Sequence, residues 1–100
     1  MIKHIVMWTL KEEAAGATAA ENGVKVKEML ENLNGKIETL KHIEVSVDIF
    51  AAVPDCNVIL YSEFETKEDL EAYQIHPLHQ ECVAFVKQVV SGRSVIDYVI

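Results

Sequence analysis

A chain of 100 residues that is 50% apolar and 25% charged is the size of one domain and leaves no room for a second hydrophobic core. Its formal net charge of −7 argues against nucleic acid or an anionic membrane as a partner, because both require clustered Lys and Arg. The closest basic pair, Lys25 and Lys27, sits among acids on a helical stretch and reads as a solvated helix face.

Residues 2–10 (IKHIVMWTL) are β-branched and apolar at both parities, so this strand is expected at the centre of a sheet and buried on both faces. Residues 11–17 read as a polar, Ala- and Gly-containing loop. Thr18 followed by Glu21 is a capping box, and Val26, Met29, Leu30 and Leu33 then fall at helical spacing. That predicts a first helix of about 17 residues ended by Asn34-Gly35, with Gly23 weakening it by roughly 1 kcal/mol relative to Ala.

Residues 42–50 alternate with period two, placing Ile43, Val45, Val47 and Ile49 on one face of a second strand. A turn at Ala52-Val53-Pro54-Asp55 leads to a third strand over 57–65. Thr66 and Asp69 open a short helix carrying Leu70 and Tyr73. Pro77 is poor inside a helix and good in its first turn, so the chain breaks at His76-Pro77 and restarts. The new helix is expected from about residue 77 to Ser91, ended by Gly92, before a last strand over 94–100.

The order is β-α-β-β-α(α)-β, an α+β fold of the ferredoxin-like βαββαβ kind, one domain over residues 1–100. Helices cover one sheet face, and the apolar residues left on the other predict a homodimer through that face, a dimeric α+β barrel. Cys56 and Cys82 match no metal spacing, and Cys82 falls on an apolar helical stripe, so free thiols are expected. The N-terminus enters a strand at once, without a secretory pattern, which makes the cytoplasm the expected location.

Histidine supplies the candidate chemistry. His42 lies on the polar parity of its strand and reads as a surface residue. His4 shares a strand face with Val6 and Trp8, whereas His76 reads as a cap at the helix break. His79 falls in the first helical turn on the face of Cys82 and Val86. Imidazole titrates near neutral pH, so His4 facing His79, with the Tyr73 phenol nearby, makes a proton-transfer set. The positive helix end holds His79 towards its neutral form. His76 and His79 lack an accompanying ligand set, so no metal is expected.

These residues also carry a family resemblance that covers essentially the whole chain. The opening IKHIVMWTLK, the Tyr-x-x-His-Pro-x-His pattern at Tyr73–His79 and the closing Asp97-Tyr98 resemble the stress-responsive A/B barrel (Dabb) family. The resemblance implies a dimer of ferredoxin-like subunits. One characterised member performs a cofactor-free aldol cyclisation of a polyketide, and its catalytic residues correspond to His4, Tyr73 and His79. A further pocket tyrosine of that member is replaced here by an apolar residue at or near Val26, a departure that counts against the same cyclisation.

The leading expectation is therefore a cofactor-independent binder or enzyme for a small, largely apolar molecule, with Trp8, Val26, Leu30 and Phe85 as pocket walls. One rival is a non-enzymatic stress or assembly protein in which His4 and His79 hydrogen-bond each other across the core. A second rival, by fold analogy alone, is a cofactor-free monooxygenase-like dimeric barrel.

Overall fold

The computed structural model describes residues 1–100. In chain order the elements are β1 (Ile2–Leu10), β2 (Glu13–Ala14), β3 (Ala17–Thr18), α1 (Ala19–Glu31), β4 (His42–Ser46), β5 (Val58–Phe64), α2 (Lys67–Ile75), α3 (Pro77–Val89) and β6 (Val90–Val99). The main sheet runs β4-β5-β1-β6 with every neighbouring pair antiparallel, which is the ferredoxin-like arrangement anticipated from the sequence. No helix is long and apolar enough to cross a membrane.

The β1 strand lies at the sheet centre, between β5 and β6. Residues directly opposite in an antiparallel ladder share a face, so register distributes the side chains. His4 is level with Ser62 on β5 and Asp97 on β6, Val6 with Leu60 and Val95, and Trp8 with Val58 and Arg93. That face carries the helices, and Ile2, His4, Val6, Trp8 and Leu10 are all buried there. The opposite face holds Ile5, Met7, Ile59, Tyr61, Ile96 and Tyr98, none of them fully buried. Burial of β1 on both faces is therefore not achieved by one chain: nothing within it covers the second face.

The Thr18 box is present as expected. The Thr18 hydroxyl accepts from the Glu21 amide at 3.2 Å, and the Glu21 carboxylate accepts from the Thr18 amide at 3.0 Å. The helix is shorter than its apolar stripe suggests, 13 residues rather than about 17. Asn34 is instead used by the sheet: its amide group donates to the Ile43 carbonyl at 2.9 Å and accepts from the Ile43 amide at 3.2 Å. One turn back, Lys27 donates to the Val45 carbonyl and Glu31 accepts from the Val45 amide. Side chains of α1 and its exit thereby occupy backbone groups along the outer edge of β4, which is one way of blunting an edge strand.

Other boundaries move for equally local reasons. The 11–17 loop contains a two-residue hairpin, β2 with β3, turned by Ala15 and Gly16 at positive φ. Strand β4 stops at Ser46, whose hydroxyl accepts from the Asp48 amide and bends the chain away, so Val47 and Ile49 lie in the long loop that follows. Gly92 does not end a helix; α3 stops at Val89 and β6 begins at Val90, with Gly92 inside the strand opposite Thr9. The ladder shifts there, from Thr9–Gly92 to Leu10–Val90, leaving Ser91 as the extra residue of a bulge.

Gly23 is buried where α1 crosses the sheet. A Cβ built there would lie 3.5 Å from Leu10 and Val47 and 3.7 Å from Val58, ordinary van der Waals contact. Gly23→Ala is thus expected to keep the packing and gain helix propensity, raising unfolding stability by about 0.5–1 kcal/mol in urea titrations. A loss would mean that α1 must shift to admit the methyl group.

Candidate functional site

Helices and sheet leave between them a cavity of about 310 Å³, at the lower end of the size of small-molecule sites. Strand β1 contributes His4, Val6 and Trp8, and β5 contributes Leu60. Leu30 comes from α1, Tyr73 and Gln74 from α2, and His79, Val83, Val86 and Lys87 from α3. Val90 and Arg93 of β6 complete the wall. The three residues singled out for chemistry, His4, Tyr73 and His79, all line this one space, as do Trp8 and Leu30. Val26 and Phe85 do not. Val26 is sealed into the core, and the Phe85 ring packs beneath the Lys25 ammonium at 4.4 Å. A helical stripe contains both kinds of position, and spacing alone does not separate cavity wall from solid core.

The break between α2 and α3 positions the imidazole of His79. His76 ends one helix and caps the next, its Nδ1 accepting from the Leu78 amide at 3.1 Å, with Pro77 in the first turn. His79 then sits in the opening turn of α3 with Nδ1 3.0 Å from the Gln74 carbonyl. A carbonyl only accepts, so Nδ1 carries the proton and the lone pair resides on Nε2. Burial disfavours the imidazolium and pulls the His79 pKa below its ordinary value, with further lowering by the charges of His4, Arg93 and His76. The hydrogen bond to Gln74 opposes this only in part. His79 is thereby a neutral base at physiological pH.

His4 is fixed from the sheet. Its Nδ1 bonds the Asp97 carboxylate directly across the β1–β6 ladder, and the Ser62 hydroxyl donates to the His4 carbonyl at 3.2 Å. A carboxylate partner on Nδ1 selects the tautomer in which Nε2 is the acceptor. His4 and His79 therefore do not hydrogen-bond each other, contrary to the core-pair arrangement considered from the sequence: each has another partner.

Tyr73 lies between the two halves of the site, its ring 5.0 Å from Phe64 and 4.3 Å from His79 between centroids. It is almost wholly buried, and its hydroxyl has no hydrogen-bond partner in the protein. Burial pushes the phenol far above its ordinary pKa, so it is a donor and not an anion. A buried hydroxyl without a partner costs about 1–3 kcal/mol. The arrangement offers two nitrogen acceptors on the wall of a mostly apolar space, with an unpartnered O–H donor buried beside His79.

Sequence reasoning missed four polar residues at this site. Asp97 left a signal, as the one acid in the final strand SVIDYVI, but linking it to His4 requires the β1–β6 register. Gln74, Lys87 and Arg93 left none, since each is ordinary for a helix or strand surface. Elsewhere, Cys82 is buried near the Met29 carbonyl, where burial raises its thiol pKa, and both cysteines are free. His42 lies on the far face, bonded to Glu44 at 2.8 Å.

Fold and site together define a class: a ferredoxin-like α+β domain with a His- and Tyr-lined cavity between sheet and helices. The chain belongs to the stress-responsive A/B barrel domain family, whose model matches residues 2–100. A stress-response A/B barrel domain-containing protein of Arabidopsis thaliana is 30% identical over 86 residues, a match taking in 83% of this chain. The chain spans only 30% of that protein's length. A dimeric protein with a ferredoxin-like fold from Bacteroides fragilis superposes with a TM-score of 0.85 at 28% identity, covering 99% of this chain and 95% of that one. A hydroxynitrile lyase from Passiflora edulis, 19% identical, superposes at 0.77 over 99% of this chain and 92% of its own, a likeness of fold.

Because the Tyr73 hydroxyl is unpartnered, Tyr73→Phe is expected to leave stability unchanged or raise it by up to about 1–3 kcal/mol. Paired denaturant titrations of the two proteins check this, and a drop of more than about 1 kcal/mol would show that the hydroxyl does bond within the fold.

Proposed function

We propose that the chain binds a small, largely apolar molecule in this cavity and acts on it by cofactor-free acid–base chemistry. Nε2 of His79 takes a proton from an acidified C–H or O–H. The Tyr73 hydroxyl donates to the oxygen on which negative charge develops, and His4, held by Asp97, orients the molecule or relays the proton. The observation that supports this most is His79 on the cavity wall, neutral and with the Nε2 lone pair unpartnered. Its ring packs at 45° against that of Tyr73, whose buried hydroxyl also lacks a partner.

A base in an apolar pocket can be tested without knowing the natural substrate. Nitrobenzisoxazole is an apolar carbon acid that ring-opens to a coloured phenolate when deprotonated. The wild-type protein is expected to accelerate this reaction, with the rate falling only at pH values below the ordinary imidazole value of 6.5, since the depressed His79 pKa extends its basic form to lower pH. His79→Ala is expected to lose about 10²–10⁴ of the rate. Equal rates in a His79→Ala protein of native circular dichroism would sink the assignment.

The working unit in this proposal is a homodimer. The uncovered face of Ile5, Met7, Ile59, Ile96 and Tyr98 is contiguous across three strands, and contiguous apolar surface of this kind marks an interface. The Bacteroides fragilis relative is described as dimeric, which supports the same assembly here. Sedimentation equilibrium is expected to give twice the chain mass, and Ile96→Arg, at a position 54% exposed in the single chain, is expected to give the monomer. A monomeric wild-type protein at micromolar concentration would refute the assembly.

A further inference from the structure

The charged lining of the cavity has one sign. The chain holds 16 acidic and 9 basic residues, yet the charged side chains on this wall are Arg93 and Lys87, with no carboxylate beside them. Neither takes part in an ion pair, although five such contacts form on the chain, one of them between His4 of this wall and Asp97. Arg93 shares the helix-facing side of β6 with Asp97, four residues along, but that carboxylate is already bonded to His4. Arg93 is level with Trp8 at the opposite end of the ladder from the His4–Asp97 pair, so the two cations sit towards one end of an apolar space whose other side holds Tyr73 and His79.

Building on the acid–base reading above, the geometry points to an amphipathic anion as the ligand, its carboxylate or phosphate head held by Arg93 and Lys87 and its apolar body on Val6, Trp8 and Leu30. A guanidinium presents paired N–H donors that match both head groups, and it is solvated here with no competing carboxylate. An excess of positive charge at the mouth of a concave site on an otherwise acidic protein also draws anions towards that mouth and repels them elsewhere. The head group so placed directs the remaining length of the molecule inward, towards the Tyr73 hydroxyl and Nε2 of His79. Specificity and chemistry would then reside at opposite ends of the same cavity.

Trp8 is the only tryptophan of the chain and lines the cavity, so its fluorescence reports occupancy. Octanoate, octyl phosphate and octanol share a tail and differ in the head, and are titrated well above the ordinary imidazole pKa so that histidine cations do not contribute. Octanoate, octyl phosphate or both are expected to bind at least about tenfold more tightly than octanol, the worth of one charge-assisted hydrogen bond at a partly exposed site. Which of the two binds assigns the head group. The preference is expected to vanish in the Arg93→Gln, Lys87→Gln double variant and to shrink with added salt. Equal affinity for all three ligands, or a preference that survives the double substitution, overturns the anion assignment and leaves the cavity-binding reading standing. No response of Trp8 to any of the three overturns both.

Discussion

The antiparallel register of β1 against its two neighbours determines where everything else can be. Period-two alternation places His4, Val6 and Trp8 towards the helices, and Ile5 and Met7 away from them. The same ladder sets Asp97 across from His4 and Arg93 across from Trp8. A slip of one residue would move the histidine to the outer face, remove its carboxylate and put the charge of Lys3 in the core. Several features resist that slip: apolar rows run through Val6, Leu60 and Val95, Ser62 bonds the His4 carbonyl, and the bulge at Ser91 lets α3 lead directly into β6. The site is in this sense a by-product of pairing that the core already requires.

What the core does not require is the polarity of the cavity. Tyr73 is buried with an orphan hydroxyl, His79 is held neutral against its ordinary titration, and an imidazole occupies a core row of the central strand. Each costs stability that an apolar residue would not. A small chain has little surplus stability to absorb such costs. Where several local choices disagree with the global preference for a dry, satisfied interior, a function is the economical account of their presence. The His76-Pro77 break serves the same end: capping and restarting the helix at this point sets the His79 ring over Tyr73, which an unbroken helix would not do.

Much of this is legible in the sequence alone. A β-branched run apolar at both parities locates β1, alternation locates β4, the turn after it locates β5, caps locate the helix starts, and the His76-Pro77 pair locates the restart. Helix ends are less legible, because the stripe through Leu33 continues past Glu31 while Asn34 is drawn off to the β4 backbone, a tertiary contact that no local pattern encodes. Gly92 misleads for a related reason: a glycine after a helical stripe signals a stop, and here the same residue serves a bulge. His4, Tyr73 and His79 stand out through residue type and family pattern. Asp97, Gln74, Lys87 and Arg93 need the register and the helix crossing, and Val26 and Phe85 show that an apolar stripe does not say which of its members faces a void.

The two edges of the sheet are treated differently, and this bears on how the protein associates. Along β4, Asn34, Glu31 and Lys27 fill backbone groups of Ile43 and Val45, so another strand cannot add there without displacing them. On the opposite side, Ile96, Tyr98, Val99 and Ile100 lie on or just beyond β6 and are between 40% and 80% exposed. Ile96 and Tyr98 continue the open face of Ile5, Met7 and Ile59, whereas Val99 is on the helix side. Single apolar residues such as Val24, Phe50, Val53 and Ile75 are exposed elsewhere, but the open sheet face carries such residues side by side on three strands, while the β4 margin is occupied by polar contacts from α1. Such an asymmetry favours a closed, two-fold pairing of faces over open-ended strand addition, which would need both edges free. The element that carries half of the cavity's charged and polar groups on the sheet, β6, is also the one that a partner would cover, so association and ligand binding would act on the same strand.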